Sequence, residues 1–374
     1  MMFKYVATCL FGLEHLLGEE IDALGYKRIN TIDGRVVFEG DEYAASRCNM
    51  WLRFAERVFF LVGECHAESF EQLFEGTKSL PWEEYIGVRD AFPVSGHSIK
   101  SALFSIPDCQ KIVKKAVVER LKEKYHNSWF EEDGVKYQIE FFILRNEVML
   151  MIDTSGAALH KRGYRPGTLD APIRETLAAA LASLARPRED VLFWDPFCGS
   201  GTIAIEAAMI MNNIAPGLNR SFAGEKFEFI DEKVWKDARD EAESAVKHSG
   251  FEAYASDIDP KCVAFAKECV KRACVLGTVK AFERNALEIS TGGRRGTIVC
   301  NPPYGERMFS MEETEKLYKK MGSHFRTLEP WQIYVITSHE GFERLYGRRA
   351  DKVRKLYNGM IPCYFYQFFK RREK

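Results

Sequence analysis

From Ile173 onward, short apolar runs alternate with segments of helical periodicity, and this alternation restricts the fold more than any other feature of the chain. "IRETLAAALASLA" reads as a helix, 191–195 as a strand and 202–211 as a second helix. A helical stretch near 231–248 leads to the strand "EAYASD" and a helix over 260–276. The strands "VKAFERN" and "GTIVCN", a helix over 311–328, the strand "QIYVITS" and a closing strand "CYFYQFF" complete the series. Helical crossovers between apolar strands produce parallel pairing, because a parallel neighbour cannot be reached by a tight turn. The expectation is an α/β, doubly wound, mostly parallel sheet, whose ligands bind beyond the carboxyl ends of its strands.

Two strand ends carry chemistry. The first, "VLFWDPFCGSG", ends a strand in a glycine turn and opens a helix at Thr202. Gly199 and Gly201 let a ligand approach the backbone closely, and a helix N-terminus offers free N–H groups. "GSGTIA" also satisfies the dinucleotide pattern G-x-G-x-x-A. That pattern expects an acidic residue about 20 positions on, where "GLNRSFAG" supplies none. The next strand ends instead at Asp257, in "YASDIDP". A carboxylate there can accept both hydroxyls of a ribose, while Asp195 can face an ammonium group. Two carboxylates would repel a pyrophosphate, so the pair favours an amino acid joined to a nucleoside, S-adenosylmethionine.

The second strand end is "IVCNPPYGER". An exocyclic amine on a nucleobase is a poor nucleophile because its lone pair is delocalised into the ring. Acceptors for its N–H groups draw it toward tetrahedral geometry. Asn301 offers a side-chain oxygen, and the Pro302 carbonyl is held outward by Pro303. Tyr304 offers a flat face for a base splayed out of its stack. No activated protein nucleophile is required, and no Ser-His-Asp or Cys-His constellation is evident.

The first half reads as two smaller α/β units. Residues 1–60 contain the alternating strand "FKYVATC", a helix through Leu13–Leu24, the strand "GRVVFEG" and a helical pattern in "EYAASRCNMWLRFAERV". Residues 61–155 contain the helix "SFEQLFEGTKSL", the strand "AFPVSGHS", a helix in "CQKIVKKAVVERLKEKY" and two strands joined by an Arg-Asn turn. A Gly-, Pro- and Arg-rich connector begins the third region, 156–374.

Net charge is −1, yet the charge is unevenly placed. Ten Lys/Arg stand against three Asp/Glu from Gly341 onward, and "LHKRGYRPG" forms a second basic cluster. Basic stripes on a neutral chain suit contact with nucleic acid on one face, with Arg162 and Arg165 as candidate substrate contacts. The ten cysteines form no C-x-x-C pair and the eight histidines no H-x-x-x-H pair. Free thiols in a reducing cytoplasm and no metal site are therefore expected. No apolar stretch approaches the roughly 20 residues of a membrane span, and no signal peptide is read at the N-terminus.

With these stretches in view, the C-terminal half resembles the class I, Rossmann-like methyltransferases. More narrowly, the chain looks like the THUMP-containing, RlmL-like guanine-N2 methyltransferases of 23S ribosomal RNA. "DTSGAALHKRGYRPGTLDAPIRETLAAAL", "DPFCGSGTIAIEAAMI", "NNIAPGLNRSF", "CNPPYGER" and "RKLYNGMIPCYFYQFF" carry the likeness. The resemblance implies a ferredoxin-like domain and an RNA-binding THUMP module before the methyltransferase sheet. It implies a cofactor site at Asp195, Pro196, Phe197, Cys198, Gly199, Gly201, Thr202, Asp257, Ile258, Asn285, Ala286 and Asn301. Asn301, Pro302, Pro303 and Tyr304 would act on the target amine. Asn285 stands where relatives usually carry Asp near the adenine. The larger family fusion adds a second methyltransferase, an activity not expected here. Transfer RNA guanine-N2 and adenine-N6 methylation are the competing enzymatic readings, and an RNA-binding assembly factor without turnover is the competing non-enzymatic one.

Overall fold

The computed structural model describes residues 2–167, 172–305 and 310–369. The "KRREK" tail and residues 168–171 of the connector lie outside them. The chain divides into two compact units.

The first unit holds residues 1–8, 17–159 and 221–241. Its strands are β1 (Phe3–Cys9), β2 (Lys27–Ile32), β3 (Arg35–Gly40), β4 (Ala55–His66), β5 (Val94–Ile99), β6 (Ile139–Leu144) and β7 (Glu147–Asp153). They form one seven-stranded sheet in the order β2-β3-β1-β4-β7-β6-β5. The boundary expected at residue 60 falls inside β4, which runs uninterrupted through it. The helical pattern expected to continue to Val58 stops earlier. Helix α2 runs over Ala44–Trp51, and "AERVFFLV" enters the sheet as β4. Helix α1 (Glu14–Ala23) precedes β2, an exposed edge strand that periodicity alone did not reveal. After α3 (Phe70–Lys78), helix α4 (Ile106–Tyr125) buries Cys109, Val113, Ala116, Val117 and Leu121 on one stripe. Cys109, Val113, Val117 and Leu121 meet Trp82, Phe92, Tyr137, Phe141 and Leu150 in the core. Residues 221–241, expected with the third region, belong to this unit. Phe227 stacks on Tyr137 at 4.3 Å, and the Gly224 N–H donates to the Thr154 carbonyl at 2.9 Å.

The second unit holds residues 9–16, 160–220 and 242–374. Its strands are β8 (Leu192–Asp195), β9 (Ala253–Asp257), β10 (Val279–Glu283), β11 (Gly296–Cys300), β12 (Gln332–Thr337), β13 (Lys352–Asn358) and β14 (Ile361–Phe368). Their order is β10-β9-β8-β11-β12-β14-β13. The first five pair in parallel, and β14 runs antiparallel between β12 and β13. The doubly wound sheet therefore stands as expected, with the closing strand extended into a hairpin. Helices α5 (Glu175–Leu184) and α6 (Thr202–Met211) pack together. Every residue of α6 from Thr202 to Met209 is buried, as a helix apolar on all sides requires. After α7 (Glu232–Ser244), helix α8 (Pro260–Arg272) starts on an Asp259 side-chain cap. Helix α9 (Met311–Phe325) starts on a Ser310/Glu313 capping box. Tyr318, Met321 and Phe325 of α9 join Trp331, Val335, Tyr366 and Phe368 in the core behind the site.

Candidate active site

The glycine turn after β8 is braced from the neighbouring strand. Gly199 and Gly201 have φ of +49° and +74°, values that favour glycine. A Cβ at Gly201 would stand 3.3 Å from Ala266 of α8, whereas one at Gly199 would enter open space. The Gly199 N–H donates to Asp257 Oδ2 at 2.9 Å, and Asp257 Oδ1 accepts from the Asp259 N–H at 3.1 Å. The Cys198 N–H donates to the Ser256 carbonyl at 3.0 Å. Helix α6 then begins at Thr202, its N-cap Gly201 offering no side-chain cap, so its first N–H groups face the turn.

Asp195 is 1% exposed and accepts from the Phe197 N–H at 3.2 Å. Burial pushes its carboxyl well above the usual range, and Asp257 raises it further. A buried carboxyl with one backbone donor is suited to receive a cation. Ile258, beside Asp257, is an apolar side chain 65% exposed. Asn285 caps the turn 286–288, its Oδ1 accepting from the Leu287 N–H at 3.0 Å, and Ala286 is buried beneath. The oxygen expected to face an adenine amine is thus already used once. The donor set at these strand ends fits a compact group that pairs an ammonium with ribose hydroxyls: a buried carboxyl, a turn with open space beyond it, and an exposed apolar residue.

Beyond β11, which pairs in parallel with β8, lies the Asn301–Tyr304 loop. Pro302 is buried, while Asn301, Pro303 and Tyr304 are half-exposed. The Tyr304 hydroxyl donates to Asn301 Oδ1. Tyr318 of α9 donates its hydroxyl to the Pro303 carbonyl at 2.7 Å and lies 2.8 Å from Thr337 Oγ1 at the end of β12. Burial pushes the Tyr318 phenol upward, so it remains a donor. Sequence motifs did not single out Tyr318. Its only signal is a place on the apolar stripe of α9, which a purely structural residue would share.

Arg162 and Arg165 need correction. Arg162 is 2% exposed, its Nε 3.6 Å from Glu206 Oε1 on α6, an atom that also accepts from the Tyr164 hydroxyl at 2.9 Å. Arg165 donates to Thr202 Oγ1 at 2.8 Å and lies 3.5 Å from Glu175. These guanidiniums neutralise carboxylates enclosed by α5 and α6 rather than facing solvent, so a free phosphate cannot reach Arg162. Burial raises the Glu175 carboxyl, Arg165 opposing it. Among the described residues, no three His, Cys, Asp or Glu converge on a metal position, and no helix is long and apolar enough to cross a membrane.

Comparison with known proteins agrees with this geometry. Residues 162–367 match the model for the RMKL-like methyltransferase domain, residues 4–59 the RlmL ferredoxin-like domain and residues 67–153 the THUMP domain. The chain is 44% identical to the Bacillus subtilis (strain 168) protein named "Putative RNA methyltransferase YpsC", covering 99% of this chain and 97% of that one. It is 32% identical to the Shewanella sediminis ribosomal RNA large subunit methyltransferase K/L, covering 97% of this chain and 52% of the relative. The chain thus spans about half the length of that relative. A solved structure described as "SMU.472, a putative methyltransferase complexed with SAH" superposes with a TM-score of 0.92 at 39% identity, covering 100% of this chain and 99% of that one. A ferredoxin-like domain, a THUMP domain and a methyltransferase sheet thus follow one another in order, and the chain belongs to the RMKL-like methyltransferase family.

Proposed function

We propose that this protein transfers a methyl group from S-adenosylmethionine to the exocyclic N2 of a guanosine in 23S ribosomal RNA, in the cytoplasm. The observation that carries the reading is the placement of two loops beyond adjacent parallel strands: the braced turn after β8, and Asn301–Tyr304 after β11. The S-adenosylhomocysteine in SMU.472 supports the donor, and the ribosomal RNA named for the K/L relatives supports the acceptor. The THUMP domain supports RNA as partner.

Bound S-adenosylmethionine would supply an electrophilic methyl group. Asp195 would hold its ammonium, Asp257 its ribose hydroxyls, and Ile258 and Ala286 would flank the base. Pro196, Phe197, Cys198 and Thr202 would shape the turn around it. Asn301 Oδ1 and the Pro302 carbonyl would accept the N–H groups of the target amine, with the Tyr304 ring beneath the base. Catalysis is then chiefly positioning, which agrees with the absence of a nucleophile–base pair in this loop.

Mass spectrometry of digested ribosomal and transfer RNA, from cells with and without the protein, tests the assignment. Loss of one N2-methylguanosine from 23S RNA is expected. Loss from transfer RNA alone, or loss of N6-methyladenosine, would reassign the substrate. Asn301→Ala should retain S-adenosylhomocysteine binding while turnover falls by roughly 10²–10³; methyl transfer at the wild-type rate would remove the role given to that amide.

A further inference from the structure

We propose that the β13–β14 hairpin and the turn at residues 10–12 form a wall of the substrate cleft that stacks and neutralises single-stranded RNA beside the target nucleotide. The inference rests on the methyltransferase reading and adds residues that reading does not use.

Strand register places the hairpin. Thr337, the last residue of β12, pairs with Tyr364, whereas β14 already begins at Ile361. At about 3.4 Å per residue, the strand overhangs the carboxyl edge of the parallel sheet by about 10 Å. That edge is where Asp195, Asp257 and Asn301 stand. Asn358 pairs with Ile361, so Gly359 and Met360 form the tip. Cys363 Sγ lies 3.9 Å from the Tyr304 hydroxyl, which joins the hairpin to the catalytic loop. Everything toward the tip lies outward of that contact.

The chemistry of this overhang fits nucleic acid. Met360 is 89% exposed and Phe11 46%. Phe11 meets Tyr357 edge-on at 5.8 Å, and Lys355 Nζ stands 5.5 Å from the Tyr357 ring centroid. The 10–12 turn sits directly against β13: Gly12 has φ +89°, and a Cβ there would lie 3.0 Å from the Lys355 carbonyl oxygen. Residues 352–369 contain Lys352, Arg354 and Lys355 and no Asp or Glu. Exposed flat and thioether side chains among cations, with no acid in the hairpin, match the stacking platforms and charged grooves that hold single strands. At the turn itself the Glu14 carboxylate accepts from the Gly12 N–H at 2.9 Å, so the excess of positive charge belongs to the hairpin.

The test uses the full chain with a 23S ribosomal RNA transcript and Lys355→Glu/Met360→Glu as the variant. The expected result is a KM for RNA raised by roughly tenfold and a shallower salt dependence. S-adenosylhomocysteine affinity and Tm should be unchanged, and Lys355→Arg should behave as wild type. Transcripts carrying 5-iodouridine should cross-link to peptides containing Phe11, Tyr357 or Met360. An unaltered RNA KM with cross-links only elsewhere overturns the assignment and leaves the methyltransferase reading standing. A change in sedimentation with unaltered RNA KM likewise overturns it and assigns the face to a second copy of this chain. A wild type that binds S-adenosylhomocysteine but no RNA overturns both.

Discussion

The hydroxyl of Tyr304 donates to the side-chain oxygen of Asn301, three residues before it in the same loop. The acceptor assigned to the target amine is therefore engaged by the ring assigned to stack beneath the base. Asn301 Oδ1 has a second lone pair, so in the proposed reaction this hydroxyl competes with the target amine for the acceptor without excluding it.

Replacing Tyr304 by Phe keeps the stacking face and removes the competing donor. A net hydrogen bond is worth about 1 kcal/mol, so kcat/KM for RNA should rise by up to roughly fivefold. Tyr304→Ala should lower it instead. Steady-state kinetics on both variants decide the point; a fall in the Phe variant would assign the hydroxyl a part in the reaction.

Tyr318 acts through the Pro303 carbonyl, so Tyr318→Phe should loosen the loop without touching the cofactor turn. A roughly tenfold loss of kcat is expected with S-adenosylhomocysteine affinity unchanged. Leaving the carbonyl without its donor and the Thr337 hydroxyl without its acceptor should also cost about 1–3 kcal/mol of stability. Parallel loss of cofactor affinity would contradict a role confined to the loop.

Burial favours the protonated form of Asp195 in the folded chain. The folded state keeps this proton at pH values where the unfolded chain has released it, so this group favours folding most at low pH. Its contribution declines as pH rises from the ordinary carboxylate range toward the raised value. A cation bound beside Asp195 reverses the preference. S-adenosylhomocysteine should therefore bind more tightly as pH rises through that window, with release of a proton. Calorimetry in buffers of different ionisation heat measures the proton, and Asp195→Asn should abolish both effects. Proton uptake would mean that the ammonium sits elsewhere.

Glu206 is fully buried on α6, four residues past the helix start, and is served by Arg162 and Tyr164. Removing one partner of a buried pair costs about 3–5 kcal/mol. Arg162→Ala should lower Tm sharply, and its loss of RNA methylation should track unfolded protein rather than a raised KM for RNA. A stable variant with weakened RNA binding would restore Arg162 as a substrate contact.

Residue types and spacing were enough for the parallel part of the second unit's sheet. Strand–helix alternation from Ile173 implies a parallel sheet because apolar periodicity is a local property, and the glycine turn and the Asn-Pro-Pro-Tyr loop are short segments with their own backbone demands. Burial and partnership depend on residues distant in sequence, and those only the folded chain reveals. Arg162 looks like a surface cation until Glu206 closes over it, 44 positions away. Residues 55–58 read as helix until β4 takes its place between β1 and β7 in the sheet. Tyr318 is one more apolar helix residue until the Pro303 carbonyl lands on its hydroxyl. Local pattern set which elements form and where the reactive loops lie; the packing of remote segments decided which charges are enclosed and which are offered to a ligand, because desolvation acts on a side chain's neighbours in space and not on its neighbours in the chain.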